Sequence, residues 1–116
     1  MREIHVSAIS DAVKKLCIDA NLDLEPDMLR AFDRALATER SPAGKQVLQI
    51  LKDNAQMART KLIPYCQDTG FVVCFVELGQ DVHIAGGLLD DAINTGVSQG
   101  YKEMPRFSRI IDHVCF

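Results

Sequence analysis

No run of apolar residues in this chain is long enough to cross a bilayer. The longest, Phe71 to Val76, is far short of the roughly 20 residues that a spanning helix needs. Nor does any Cys-x-x-Cys pair occur among the four cysteines at 17, 66, 74 and 115, so spacing spells out neither a zinc site nor a dithiol redox motif. Basic residues are scattered and the net charge is −3, which leaves out the clustered basic face of a nucleic-acid binder. Internal repeats, linkers and low-complexity stretches are also missing. Met1-Arg2-Glu3-Ile4-His5 has no apolar run behind it, so no leader is expected. These absences predict a cytoplasmic protein without membrane or nucleic-acid partners, in a reducing compartment where disulfides are not expected.

What is present is the composition of one small soluble domain, 1–116: 116 residues, 47% hydrophobic and 25% charged, able to bury a modest core. Val6, Ile9, Val13, Leu16 and Ala20 recur at steps of three and four, predicting a helix from about Ile4 to Ala20 with Cys17 beside its stripe. Pro26 at a first helical position, Asp27 in the first turn, and Met28, Leu29, Phe32, Ala35 and Leu36 on one side predict a second helix ending near Arg40. Ser41-Pro42 reads as an N-cap and first turn. Leu48, Leu51, Ala55, Ala58 and Leu62 carry that third helix to a stop before Pro64, since the residue preceding proline is pushed out of the α region.

From Phe71 the pattern becomes β-branched and aromatic, predicting a buried strand to Leu78, a turn at Gly79-Gln80, and a hairpin with Val82-His83-Ile84 that Gly86-Gly87 closes. Leu88, Leu89, Ala92, Ile93 and Val97 form a fourth helical face, weakened by Gly96 and ended by Gly100. The expected class is therefore α+β: N-terminal helices packed with a small antiparallel hairpin and a following helix.

Chemistry concentrates in the loop Pro64-Tyr65-Cys66-Gln67-Asp68-Thr69-Gly70, where a thiol, an amide, a carboxylate and a hydroxyl are consecutive. Cys66 as a nucleophile would need a neighbouring base or positive charge to lower its pKa. Asp68 acts the other way, and no histidine is near in sequence. A metal ion or cluster reverses that argument by stabilising both thiolate and carboxylate, so Cys66 is better cast as a soft ligand.

Pro-x-Cys-Gln-Asp-Thr-Gly followed by an apolar strand resembles the cluster-binding loop of class I fumarases and of the alpha subunits of L-tartrate dehydratases. Glu39-Arg40-Ser41-Pro42-Ala43-Gly44 leading into 48–54, Phe75 to Gln80, and Ile93-Asn94-Thr95-Gly96-Val97 are similar to that family in order and spacing. The resemblance covers about residues 2 to 103. It implies a [4Fe-4S] cluster held by three cysteines, with one iron open as a Lewis acid for the hydroxyl and a carboxylate of a hydroxy-dicarboxylic acid. It further implies that Cys66 binds an iron, that Gln67 donates to a substrate carboxylate, and that Asp68, the catalytic group, sits near the substrate hydroxyl, either accepting a hydrogen bond or assisting proton movement. Arg106, in Arg106-Phe107-Ser108, resembles the arginine that clamps a substrate carboxylate.

Plainer readings stand beside these. Cys66 can be an ordinary loop thiol, and Asp68 and Thr69 turn residues bonded to local backbone. Cys17 and Cys74, on apolar faces, read as core filling. Arg106 can be a solvated surface arginine. His83 and His113 are titratable near neutrality, but lone histidines are usually structural, and Cys115 matches no family position.

Residues 104–116 diverge from the family, whose two remaining cluster cysteines would lie further on. The expectation is an N-terminal portion, shortened by a frameshift, an early stop or a deliberate cut. Such a chain would be inactive without the C-terminal or beta hydro-lyase region, in a homodimer or an alpha–beta assembly. The alternative is a noncatalytic folded module that self-associates or binds a partner. A metal or redox sensor using Cys66 and Cys74 is a third reading, which the spacing permits without encoding it.

Overall fold

The computed structural model describes residues 1–66, 68 and 70–104. The elements in chain order are β1 (Arg2–His5), α1 (Val6–Leu22), α2 (Pro26–Thr38), α3 (Pro42–Lys61), β2 (Val82–Ala85) and α4 (Leu89–Glu103). The architecture is α+β, as the sequence predicts. It divides into two compact units, one formed by Met1–Asp19 with the chain from Asp68 onward, the other by Ala20–Gln67.

In the first unit the sheet corrects the sequence reading. Val82–Ala85 does not fold back on 71–78 as an antiparallel hairpin. It pairs in parallel with the N-terminal strand, in the register Arg2↔Val82, Glu3↔His83, Ile4↔Ile84 and His5↔Ala85. The Arg2 amide extends the ladder by donating to the Asp81 carbonyl at 2.9 Å, while the Val82 amide closes a turn onto Gly79 at 3.1 Å. A parallel pair requires a long crossover, here carrying three helices, and no local pattern announces it. The N-terminal strand was also hidden because it has only four residues and runs directly into the helix that begins at Val6.

Residues 71–78 are the second correction. No strand is assigned from Gly70 to Gly79, and every one of these residues is exposed. Cys74, expected in the core, is therefore exposed too.

The core of this unit lies where α1 meets α4. The buried line on α1 is Ser10, Val13 and Cys17, and Leu16, expected on that stripe, is exposed. Opposite them Ala92, Gly96, Gly100 and Met104 are buried. Gly96 is buried inside α4, where packing rather than propensity decides its role. A Cβ there would stand 2.5 Å from the Ser10 carbonyl oxygen and 2.7 Å from the Val13 Cβ, so its hydrogen is what lets the helices touch. Gly100, expected as the stop, lies inside α4 against Cys17 and Lys14. The Ser10 hydroxyl donates to the Ala92 carbonyl at 2.9 Å, which satisfies the buried polar group. Lys14 and Glu103 pair at 3.2 Å on the rim. Burial raises the pKa of the Cys17 thiol, and the nearby Cys74 thiolate adds to the effect.

Gly86 is fixed twice over: its φ is +89°, and a Cβ would come within 2.3 Å of the His5 ring. It turns the chain from β2 toward α4, whose first turn carries Asp90 and Asp91 at the positive end of the helix dipole.

In the second unit α2 starts with Pro26 as predicted and packs on α3. Lys52 on α3 forms an ion pair with Asp33 on α2. The Ser41 side chain caps α3 by accepting the Gly44 amide at 3.3 Å. Glu39 adds to the cap, its carboxylate accepting the amides of Arg40 and Ser41 at 2.8 Å each. At its far end α3 stops at Leu62, whose φ of +51° is left-handed although it carries a side chain. Ala55, Ala58 and Leu22 are the buried apolar residues here. No described helix of the chain is long and apolar enough to cross a membrane.

Candidate functional site

The loop that carries Cys66 begins where α3 ends, and the residue before the cysteine is held by three hydrogen bonds. The Tyr65 amide donates to the Asn21 carbonyl at 3.1 Å, and its phenol donates to the Ala20 carbonyl at 2.7 Å, so both reach the C-terminal turn of α1. Its carbonyl accepts from the Asn54 side-chain amide on α3 at 2.7 Å. The first two bonds satisfy carbonyls that a helix end leaves without partners, which is why this loop seats there. Cys66 follows directly, with its thiol at the surface. Sequence reasoning had Asn54 only as part of a resembling stretch and gave Tyr65 no role. A tyrosine between a proline and the loop thiol, with an asparagine eleven residues upstream on the helix, was the available signal.

In the other unit Asp68 is exposed and accepts the Gly70 amide at 2.9 Å. This is the local turn expected as the plain reading, and Gly70, at φ +57°, occupies the left-handed conformation the turn needs. Gln67, Thr69 and Arg106, together with His113 and Cys115, lie outside the described residues.

The other resembling stretches divide in character. Glu39 to Gly44 is a helix cap, with a Cβ at Gly44 meeting the Glu39 side chain at 2.7 Å. In Ile93 to Val97, Gly96 is helix packing, whereas Asn94 and Thr95 are exposed and line an open polar depression on α4 with Asp91, Ser98, Gln99 and Lys102. His83 is exposed on β2.

A cubane cluster needs several thiolates converging on one point. Among the described residues no group of three or more His, Cys, Asp or Glu side chains could hold a metal ion. Cys17, buried and with a raised pKa, is poorly disposed to ligate because the thiolate is the binding form. These residues do not by themselves build a cluster site; they offer one surface thiol on a well-anchored loop.

The family model described as fumarate hydratase (Fumerase) matches residues 10–114, nearly the whole chain and all of the Cys66 loop. The chain belongs to this fumarate hydratase family. It is also 30% identical over 98 residues to a Methanocaldococcus jannaschii protein named as an L(+)-tartrate dehydratase subunit alpha, a match covering 84% of this chain and 34% of that protein. The chain thus spans about a third of the length of the curated relative it matches. No solved structure matches it. Fumarate hydratase and tartrate dehydratase are both hydro-lyases, so the family fixes the enzyme class to which this sequence is related.

Proposed function

We propose that this chain is the N-terminal part of a [4Fe-4S] hydro-lyase that adds or removes water at a small dicarboxylic acid of the fumarate/malate or tartrate type. Cys66 contributes one thiolate to the cluster. Gln67 donates to a substrate carboxylate, Asp68 stands at the substrate hydroxyl as the catalytic carboxylate, and Arg106 clamps the other carboxylate with its fork. The remaining ligands and the other walls of the site come from the C-terminal hydro-lyase region or subunit, in a homodimer or alpha–beta assembly, so the chain alone is inactive.

One observation carries this reading: the family match runs through 64–70, and the loop thiol it contains is anchored by Tyr65 yet exposed. A structural cysteine would be buried, as Cys17 is. Exposure beside a fixed backbone is what a ligand completed by another polypeptide requires.

The test is anaerobic reconstitution with iron and sulfide, with and without a separately made polypeptide carrying the missing C-terminal region. Cluster absorbance and hydration of fumarate or dehydration of tartrate are expected only in the mixture, and both should be lost with C66S. Absence of cluster and activity in the mixture would sink the proposal. The exposure of 71–78 gives independent support to a second reading, a noncatalytic module that self-associates.

A further inference from the structure

A surface thiol does not by itself require a rigid approach, yet each residue between the end of α3 and Cys66 is restrained. The Leu62 amide donates to the Ala58 carbonyl. The Ile63 amide shares that acceptor at 3.1 Å. Pro64 has its φ fixed by its ring and keeps Ile63 out of the α region. At Tyr65 both flanking peptide planes are pinned, the amide on the Asn21 carbonyl at 3.1 Å and the carbonyl on the Asn54 side-chain amide at 2.7 Å. Two pinned planes leave φ and ψ of Tyr65 little freedom. The phenol, on the Ala20 carbonyl at 2.7 Å, holds the side chain as well. All of these groups belong to the second unit, Ala20–Gln67.

The consequence falls on the next residue. The Tyr65–Cys66 peptide is trans and planar, so the bond that holds the Tyr65 carbonyl also places the nitrogen and Cα of Cys66. Between that fixed backbone and Sγ stand only φ of Cys66 and one side-chain torsion, which is confined to a few staggered wells.

We infer that Asn54 and Tyr65 are positioning residues for Cys66, with Asn54 orienting the peptide that leads into the cysteine and the Tyr65 phenol seating the loop on the end of α1. This rests on the reading of Cys66 as a cluster ligand and adds to it the groups that hold the ligand in place. A ligand is productive only within about 0.5 Å of the right geometry, and the groups behind it influence metal affinity strongly. The two residues differ in weight. Asn54 acts on the peptide bonded to Cys66 itself, whereas the phenol acts one residue away, through a half-buried side chain that water reaches. For Asn54 the N–H is what counts, so Asn54→Asp, of the same shape but without that donor, should behave as Asn54→Ala does.

Two measurements test this. In a C74S/C115S background a nitroxide label is directed to Cys66, since Cys17 is buried. The wild-type residues should give the broad electron paramagnetic resonance lines of an ordered label, N54A and N54D the narrow lines of a mobile one, and Y65F an intermediate spectrum. The second measurement uses the anaerobic mixture with the C-terminal polypeptide and follows loss of cluster absorbance to an iron chelator. Loss should be about tenfold or more faster for N54A and N54D, and about two- to fivefold faster for Y65F. G96A, which crowds the α1–α4 seam in the other unit, controls for lost stability alone and should match wild type in both measurements. Wild-type line shape and cluster lifetime in N54A and N54D overturn the inference, as does an equal change in G96A. A wild-type mixture that forms no cluster overturns the hydro-lyase reading instead. The positioning of the thiol is then decided by the line shapes, and equal label mobility in wild type and N54D overturns it.

Discussion

Tyr65 directs all three of its polar groups to fixed positions, two on the end of α1 and one on the side chain of Asn54. The phenol is partly exposed, so water competes for the Ala20 carbonyl and the bond contributes at the low end of the usual range. Y65F should lower unfolding free energy by about 0.5–1 kcal/mol in urea melts. N54A, which deprives the Tyr65 carbonyl of its donor, should have an effect of similar size. A change within error for both would mean that the loop is not anchored this way. The thiol at 66 and the carboxylate at 68 were legible in the sequence because residue type alone announces their chemistry. Tyr65 and Asn54 were not, because their role depends on which carbonyls a distant helix end leaves open. Asp68 was read both as a site residue and as a turn residue, and its bond to the Gly70 amide shows the turn.

The helices were legible to within a few residues at their ends. α1 shows an apolar periodicity, and α2 and α3 add local punctuation to theirs at Pro26, Ser41-Pro42 and the stop before Pro64. The strands were not. Propensity placed the longest β-like run at 71–78, where nothing in the described chain pairs with it, whereas the observed strands have only four residues each and draw their stability from a partner some eighty residues away. The glycines of α4 were misread for a related reason. Propensity treats Gly96 as a weak point, yet packing decides its role. An alanine at 96 gains up to about 1 kcal/mol of helix propensity but drives its Cβ into the Ser10 backbone and Val13, an overpacking worth about 1–3 kcal/mol or more. G96A should therefore destabilise by about 1–2 kcal/mol. At Gly100 the nearest atoms, Cys17 Cβ and Lys14 O, lie at 3.0 Å, so G100A should fall near neutrality. Urea denaturation of the two variants distinguishes them, and equal costs would refute the packing account.

For the whole molecule, the described buried apolar set is short and mostly small: three alanines and a cysteine stand beside Val13, Leu22 and Met104. Meanwhile Phe71, Phe75 and several other large apolar side chains remain in water. At roughly 25 cal/mol per Å², such a core leaves little margin over chain entropy, so a monomer should sit at or below the low end of ordinary domain stability. Covering the 71–78 ridge would then supply a noticeable share of the total, and stability should depend on concentration because association draws on the folded state. For a dimer that unfolds to monomers, a hundredfold rise in concentration stabilises each chain by up to about 1.4 kcal/mol. That corresponds to an increase in Tm of about 3–10 °C for a chain of this size. If a second copy covers the ridge, the wild-type chain should show that rise over about a hundredfold span of concentration, and F71K/F75K should show none. A Tm independent of concentration for both would mean that the exposed ridge contributes nothing to the stability of this chain and that its cover, if it has one, is another polypeptide.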